Sequence, residues 1–591
     1  MTLASTLFTA LWAASLVVAD EPAFIQNAGY QQSAYGQYPV QTFVSNPNVT
    51  APIFNVISTP GEGASNGSHL FISPRGTAVS NPSPMIVDAG TLSVVWSAEE
   101  YGTAFDVKIQ QYNGEDYLTF WAGETFRQGY GHGYYYMLNS SYDIVYNLTA
   151  VNLTVPGDIH EFQLTPNGTA LITIYEPRAW DLTAYGVQGG WLMDSLFQEI
   201  DVETNDLLFE WRASDHYNLS EAYLLPGTYF YDGKSAQSAF DFFHINSVDK
   251  DSLGNYLISA RHTYSISYIS GTTGEVLWQL GGKRNNFTDL SSGNATNFAW
   301  QHDARWASPS SSEQPRIMTL FDNGAADFNQ SFPESRGLRL AIDTVNMTAA
   351  VEVSYNSPQR ISSESQGNMQ PLPNGNVMVG WGSDPAFTEF SAEGEALWTA
   401  QFGLIDGKAT SSYRVYKQSW TGSPRTNPSI AAGNVTASNG TTTNVGAGGT
   451  SNTVYVSWNG ASRVASWSFL ASNSSDNLTT PDQTWRNVSS NGFETNVTVA
   501  GAARYLRAVA LDADDAYLGA TDIFDLQERR RRPGSRVNWQ EEEEQQPSET
   551  AGDEASATQS EAAATSSTAA AVSLGAPMGL VVGLVGAVMM F

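Results

Sequence analysis

The sequence predicts an all-β protein: a β-propeller followed by a small β-sandwich of the immunoglobulin-like kind. Aromatic residues make up 12% of the 591 and charged residues 15%, a balance that suits stacked sheets better than a solvated helical array. Between about residues 40 and 420 one pattern recurs: a short apolar strand, a turn of the Asn-Gly or Thr-Gly type, a second strand, and an aromatic at the strand's end. After about residue 425 a Gly/Asn/Thr-rich stretch gives way to a separate run of alternating strands.

The elements follow in order. Residues 1–19 carry an apolar run that ends in small residues before Asp20-Glu21-Pro22, which reads as a secretory signal peptide. Residues 20–424 hold the propeller repeats. Clear copies are His160 to Gly168 leading into Ala170 to Tyr175, His244 to Gly254 leading into Tyr256 to Ser259, and Pro371 to Gly375 leading into Val377 to Val379. Further hairpins close on Trp211, Trp278 and Trp398. Four short strands per unit at loose spacing are the mark of propeller blades. Residues 425–521, which include Val454-Tyr-Val-Ser-Trp458, form the expected sandwich. From 522 to 571 the blocks Arg529 to Arg532 and Glu541 to Glu544, then Ser/Thr/Ala-rich sequence, read as a disordered stalk. The apolar stretch 572–591 reads as the signal for a C-terminal glycolipid anchor, with a retained transmembrane helix as the alternative.

Sequons at Asn48, Asn66, Asn139, Asn147, Asn167, Asn286, Asn346, Asn434 and Asn487 fit passage through the secretory route to the cell surface. With no cysteine there is no disulfide framework, so stability has to come from packing. A formal net charge of −31 argues against nucleic acid or an anionic membrane surface as partner. Gly63-Ala-Ser65-Asn-Gly67 matches a nucleophile elbow in letters only, because it lies among turn residues rather than between a strand and a helix. Asp249-Lys-Asp251-Ser-Leu-Gly254 lacks the late acidic ligand of a calcium loop and reads as a hairpin turn. Neither a Walker-type phosphate loop nor a His-Glu-x-x-His helix is present. No cofactor is expected.

Three of the seven histidines open strands of the repeat: His160, His244 and His302. The first strand of each blade lines the central channel, so these imidazoles are expected to converge. Arg261, at the end of the strand that follows His244, adds a fixed cation. Neutral imidazoles beside a guanidinium suit a sulfate or phosphate ester, since Arg pairs with two oxygens and an unprotonated imidazole can attack the central atom. A zinc site of three histidines is another use of such a cluster. His69, His132, His216 and His262 lack this register and read as structural.

At these residues the sequence resembles the arylsulfotransferase family, in particular its fungal-type branch. The resemblance runs through Tyr117-Leu-Thr-Phe-Trp-Ala-Gly123, Asp158-Ile-His-Glu-Phe162, Phe197-Gln-Glu-Ile-Asp201 and Leu208-Phe-Glu-Trp211. It continues through Phe243-His-Ile-Asn-Ser-Val-Asp-Lys-Asp251, Gly254-Asn-Tyr-Leu-Ile-Ser-Ala-Arg-His262, Leu280-Gly-Gly282 and Trp300-Gln-His-Asp-Ala-Arg305. It implies a six-bladed β-propeller and movement of a sulfuryl group from an aryl sulfate to a phenol without a sulfonucleotide. It further implies His302 as the nucleophile, with His244 and Arg261 holding the sulfate oxygens and helping the leaving phenolate depart, and His160 completing the pocket. The absence of cysteine and the C-terminal sandwich depart from the bacterial members of that family. A non-catalytic surface propeller that binds a ligand or glycan is the second function the sequence allows.

Overall fold

Every regular element among the described residues is a β-strand or a single 3-10 turn; none is an α-helix. The computed structural model describes residues 21–539, apart from 66–67, 127–128, 229, 308–313, 327–328, 434–450, 477 and 501–502. The signal peptide, the sequons Asn66 and Asn434, the stalk beyond 539 and the C-terminal tail lie outside the described residues. No described helix is long and apolar enough to cross a membrane.

Six antiparallel sheets follow one another along the chain. The first holds His69–Ile72, Met85–Asp88 and Val94–Ser97, and takes its fourth strand from Tyr416–Gln418, far along the sequence. The second runs Ala104–Tyr112, Glu115–Thr125, Gly131–Leu138 and Ile144–Leu148. Phe162–Leu164, Thr169–Ala179, Trp191–Asp201 and Leu207–Arg212 make the third, and Ile245–Lys250, Tyr256–Ala260, Ser265–Ile269 and Val276–Gly281 the fourth. The fifth is built on His302–Trp306, Arg316–Asp322, Arg336–Asp343 and Thr348–Asn356. In the sixth, Asn368–Pro371, Val377–Gly380, Ala386–Phe390 and Ala396–Gln401 are extended by Phe54–Ser58 from the start of the chain. The segment 249–254 is the expected hairpin turn, with the Gly254 N–H donating to the Asp251 carbonyl and Lys250 opposite Tyr256.

Each sheet shares a core with the next. Phe71, Trp96 and Phe120 lie in one cluster, Trp121, Phe162 and Leu196 in another, and Phe197, Trp211 and Tyr256 in a third. Leu257, Trp278 and Met318 join the fourth sheet to the fifth, and Phe321, Tyr355 and Trp381 join the fifth to the sixth. Leu70, Met85, Phe387 and Trp398 then join the sixth back to the first. The aromatic excess of the sequence is thus spent between sheet faces, where one large ring buries about 150–250 Å². Truncating one such ring to Ala costs about 3–5 kcal/mol.

Beyond these sheets, Ser429–Gly433, Ser451–Ser457 and Glu494–Ala500 form one antiparallel sheet. A second holds Thr484–Ser489, Ser466–Ser472, Tyr505–Leu511 and Ile523–Asp525. The two share one core through Ile430, Val454, Trp467, Phe469 and Leu506. Here the structure corrects the stalk expected from residue 522. Arg530–Arg532 pairs antiparallel with Ile523–Asp525, and Phe524 is buried in the shared core. The apparent charge run is a set of ion pairs: Arg504 and Arg532 each reach Asp525 at 3.0 Å, and Arg531 donates to the Ile430 and Ser45 carbonyls.

Candidate active site

The inner ends of the third, fourth and fifth sheets supply the imidazoles. His160 follows Gly157-Asp158-Ile159, a segment that must come close to Tyr135; a Cβ on Gly157 would meet the Tyr135 ring at 2.2 Å. The Tyr135 hydroxyl donates to the Asp158 carbonyl at 2.6 Å, and Asp158 Oδ2 accepts the Gly131 N–H at 2.8 Å. Asp158 is thereby fixed, and its Oδ1 accepts the His160 Nδ1–H at 2.5 Å. His244 stands one residue before its strand at φ +64°, a left-handed conformation unusual outside glycine. Its N–H donates to Ser195 Oγ at 3.1 Å, and its Nδ1–H donates to Asp241 Oδ2 at 2.5 Å.

His302 opens the first strand of the fifth sheet between two left-handed residues, Trp300 and Asp303. The register shift between His302 and Arg305 is a bulge, and bulges re-aim side chains beside functional sites. His302 Nδ1 donates to Asn323 Oδ1 at 2.6 Å, and its Nε2 accepts the backbone N–H of Gln366 at 3.1 Å. Arg261 donates to the Trp300 carbonyl at 3.0 Å and the Glu364 carbonyl at 2.8 Å, with its guanidinium 5.2 Å from the centre of the Trp300 ring.

All four residues expected from the sequence line one cavity of about 310 Å³. The His160 and His244 ring centres are 4.7 Å apart. Phe105, Phe126, Tyr130, Tyr231 and Tyr413 contribute aromatic wall, and Glu364, Ser365 and Gln366 form a strap along one side.

His262 corrects its structural assignment, because it lines the same cavity with its ring 4.7 Å from that of His244. The strand ends at Ala260, so the strict alternation of side chains ends there too, and Arg261 and His262 both reach the cavity. Arg75 was not singled out by any motif. It lies over Phe105 at 4.1 Å and donates to Gln366 Oε1 at 2.7 Å and Ser411 Oγ at 2.9 Å. His69, His132 and His216 are not among the residues lining this cavity.

The electrostatics favour neutral imidazoles. Burial, with Arg261, His244 and His160 nearby, holds the conjugate acid of His302 well below the ordinary imidazole range despite the opposing bond to Asn323. Burial, His160 and Arg261 do the same to His244, and burial leads in pushing His262 down to about 3. Asp241 moves the other way, up to about 6, because its buried carboxylate loses solvation that His262 and His160 only partly replace. Donor atoms of Asp241, His244 and His262 lie within 4.8 Å of one another, the spacing of a metal set. The Nδ1 atoms of both imidazoles are committed to hydrogen bonds, to Asp241 Oδ2 and to the Asp241 carbonyl.

Arg414, next to Tyr413 in the chain, anchors the segments behind the cavity. Arg414 donates to the carbonyls of His160 at 3.3 Å and Asn246 at 3.0 Å. Its other terminal nitrogen reaches Asp106 at 2.7 Å. Lys108 pairs with Asp106 at 2.8 Å and lies 3.5 Å from Glu161, while Arg305 binds Glu161 and, at 2.9 Å, Asp303. Three carboxylates and three cations are thus joined under the imidazoles.

Comparison with known proteins adds the following. No curated protein matches the chain. Among solved structures, a protein of unknown function from Bacteroides caccae is similar at 13% identity and TM-score 0.34, covering 61% of this chain and 99% of its own. The periplasmic gluconolactonase PpgL of Pseudomonas aeruginosa is 10% identical at TM-score 0.31, covering 80% of this chain and 98% of its own. The β-propeller domain of Myceliophteria thermophila Cps50 (Swd1) is 11% identical at TM-score 0.31, covering 58% and 89%. Overlaps this slight carry no functional weight. The family model for arylsulfotransferase (ASST) matches residues 108–403, just over half of the chain, a span that holds His160, His244, Arg261 and His302. The chain belongs to the arylsulfotransferase family.

Proposed function

We propose that the protein moves a sulfuryl group from an aryl sulfate ester to a phenolic acceptor through His302, without a sulfonucleotide. The observation that carries this is the state of His302. Its Nε2 accepts a hydrogen bond and therefore bears no proton, in a cavity that also holds Arg261 and three further imidazoles. Six sheets, each built on four antiparallel strands and joined core to core in a closed series, support a six-bladed propeller with this cavity at its centre. Two sheets sharing one core support the immunoglobulin-like sandwich.

In the forward step the Nε2 lone pair attacks sulfur, the sulfur–oxygen bond to the aryl group breaks, and the phenolate leaves with the electron pair. Arg261 faces the equatorial oxygens and offsets the charge that develops in the transition state, while His160 and His244, each held by a carboxylate through Nδ1, line the pocket around the ester. The Gln366 N–H has to leave Nε2 for the sulfur to approach. In the return step the acceptor oxygen attacks sulfur and the lone pair goes back to Nε2. The test is phenol release from a chromogenic aryl sulfate, with and without a second phenol, in the native protein and in His302→Ala. Ping-pong kinetics lost in the variant are expected; acceptor-dependent release that persists in His302→Ala would refute the role of His302.

The chain is placed by the same reading on the secretory route, held at the cell surface by its C-terminal tail. The sequon residues Asn48, Asn147, Asn167, Asn286, Asn346 and Asn487 are exposed, as glycan attachment requires. Endoglycosidase treatment of protein from its natural source should increase its gel mobility, and phospholipase release from membranes tests the lipid anchor.

A further inference from the structure

His302 is held differently from its neighbours. His160 and His244 each give their Nδ1–H to a carboxylate, Asp158 and Asp241. His302 gives its Nδ1–H to an uncharged carboxamide, Asn323. That carboxamide cannot turn over. Its Nδ2 donates to the carbonyls of Ser363 and Gln366, both at 3.0 Å, which leaves Oδ1 as the atom facing the imidazole. Asn323 is fully buried, and its own carbonyl accepts the Ser335 hydroxyl at 2.6 Å.

We infer that Asn323 is a positioning residue for sulfuryl transfer: it fixes His302 as the Nδ1–H tautomer with the lone pair on Nε2, and its lack of charge keeps the sulfated ring a good leaving group. This rests on His302 being the nucleophile. When the N–S bond forms, the Nδ1 proton stays on the ring, which carries one positive charge alongside the transferred group. That charge weakens the N–S bond and lets the acceptor oxygen displace the ring, returning the electron pair to Nε2 as the acceptor's proton passes to solvent. A carboxylate in place of Asn323 would draw the Nδ1 proton, neutralise the ring and strengthen the N–S bond. The same carboxylate would stabilise a doubly protonated ring before any donor arrives.

The groups facing His302 do not duplicate this effect. Arg261, His244 and His160 all disfavour a proton on Nε2. Glu364, on the strap, pairs with Lys408 at 2.7 Å, and Arg75 is bound to the Gln366 side chain. Asp322, beside Asn323 in sequence, pairs with Arg336 at 3.0 Å. Among the described residues neither ring nitrogen of His302 bonds a carboxylate, and position 323 is where one would act.

The test uses the purified full chain with 15N-labelled histidine and a chromogenic aryl sulfate as the donor. In the native protein His302 should show the Nδ1–H tautomer throughout neutral pH. In Asn323→Asp its titration should move up towards or above the ordinary imidazole range, and the acid limb of kcat should move up by about one pH unit or more. kcat should fall at least about tenfold, with the donor KM changed less than about threefold. With donor alone, intact mass should show the variant carrying one sulfuryl group for longer than the native chain does. An Nε2–H tautomer in a native chain that transfers sulfuryl overturns the role of Asn323 alone, as does an unchanged pH profile in Asn323→Asp. A native chain that never acquires the group overturns the reading of function and the role of Asn323 with it. Should Asn323→Asp not fold, the native tautomer decides.

Discussion

The imidazole cavity and the ionic cluster beneath it are built from the same inner strands, yet they treat charge in opposite ways. In the cluster, Asp106, Glu161 and Asp303 face Lys108, Arg305 and Arg414 at direct contact, all deeply buried or nearly so. Burial alone would raise the Asp106 carboxyl, but Arg414 and Lys108 more than offset it and hold it below the usual carboxylate range. In the cavity His244, His262 and His302 are kept neutral, and Asp241 has a buried oxygen, Oδ1, without a hydrogen-bond partner. The cluster spends its charges on holding backbone in place; the cavity keeps reactive lone pairs available. Arg414 touches both, so the cluster is the mount on which His160 and Asn246 sit.

The contrast is broken most severely at Arg414. Replacing it with Leu leaves Asp106 and Glu161 short of a buried partner and should cost about 3–5 kcal/mol, read as a lower midpoint in denaturant, with activity falling alongside. His244→Ala should do the reverse. Transfer should fall about 100-fold or more through loss of a group that shapes the ester pocket, while stability falls less than in the Arg414 variant.

Acid should find the cavity before the cluster. An unfolded chain protonates its histidines below about pH 6.5, whereas folded His244, His262 and His302 resist protonation far below that value. The unfolded state therefore binds more protons, and stability is full above about pH 6.5 and declines as pH falls towards 3, by up to about 1.4 kcal/mol per pH unit for each imidazole. Asp241 opposes one of the three, since its raised carboxyl takes up a proton in the folded state near pH 6. Asp106 adds stability that is lost only as pH drops below the ordinary carboxylate range. Thermal unfolding measured from pH 7.5 to 4.5 should show the decline, and His262→Asn should flatten it. The smallest effect is expected at Arg75: Arg75→Gln should raise the donor KM about two- to fivefold and leave kcat nearly unchanged.

Much of the fold was legible because strands and turns are local. The Asn-Gly and Thr-Gly hairpins, the Trp residues at strand ends and the four site residues all sit in short stretches with their own chemistry. Partners that cross between sheets left no such mark. Arg414 meets Asp106 across 308 positions and Arg75 meets Gln366 across 291, and neither pairing alters the spacing of its own segment. Asn323 and Asp241 are ordinary polar residues until the imidazole beside them is known. His262 was hidden because it does not open a strand of the repeat: it follows the end of one, at Ala260, beside Arg261. The Arg529 to Arg532 block looked solvated because Asp525 reaches Arg532 only once the segments 523–525 and 530–532 pair as strands.

One pairing sets the order in which the molecule can be completed. The first sheet borrows Tyr416–Gln418, with Gln418 opposite His69. During synthesis at roughly 5–20 residues per second, that edge waits about 20–70 s for its last strand. Until then the first sheet lacks its fourth strand and Arg414 has not arrived to hold the His160 and Asn246 carbonyls. A nascent chain therefore carries an open, sticky sheet edge for most of its production, and truncation anywhere before residue 416 should yield aggregate rather than a smaller working domain.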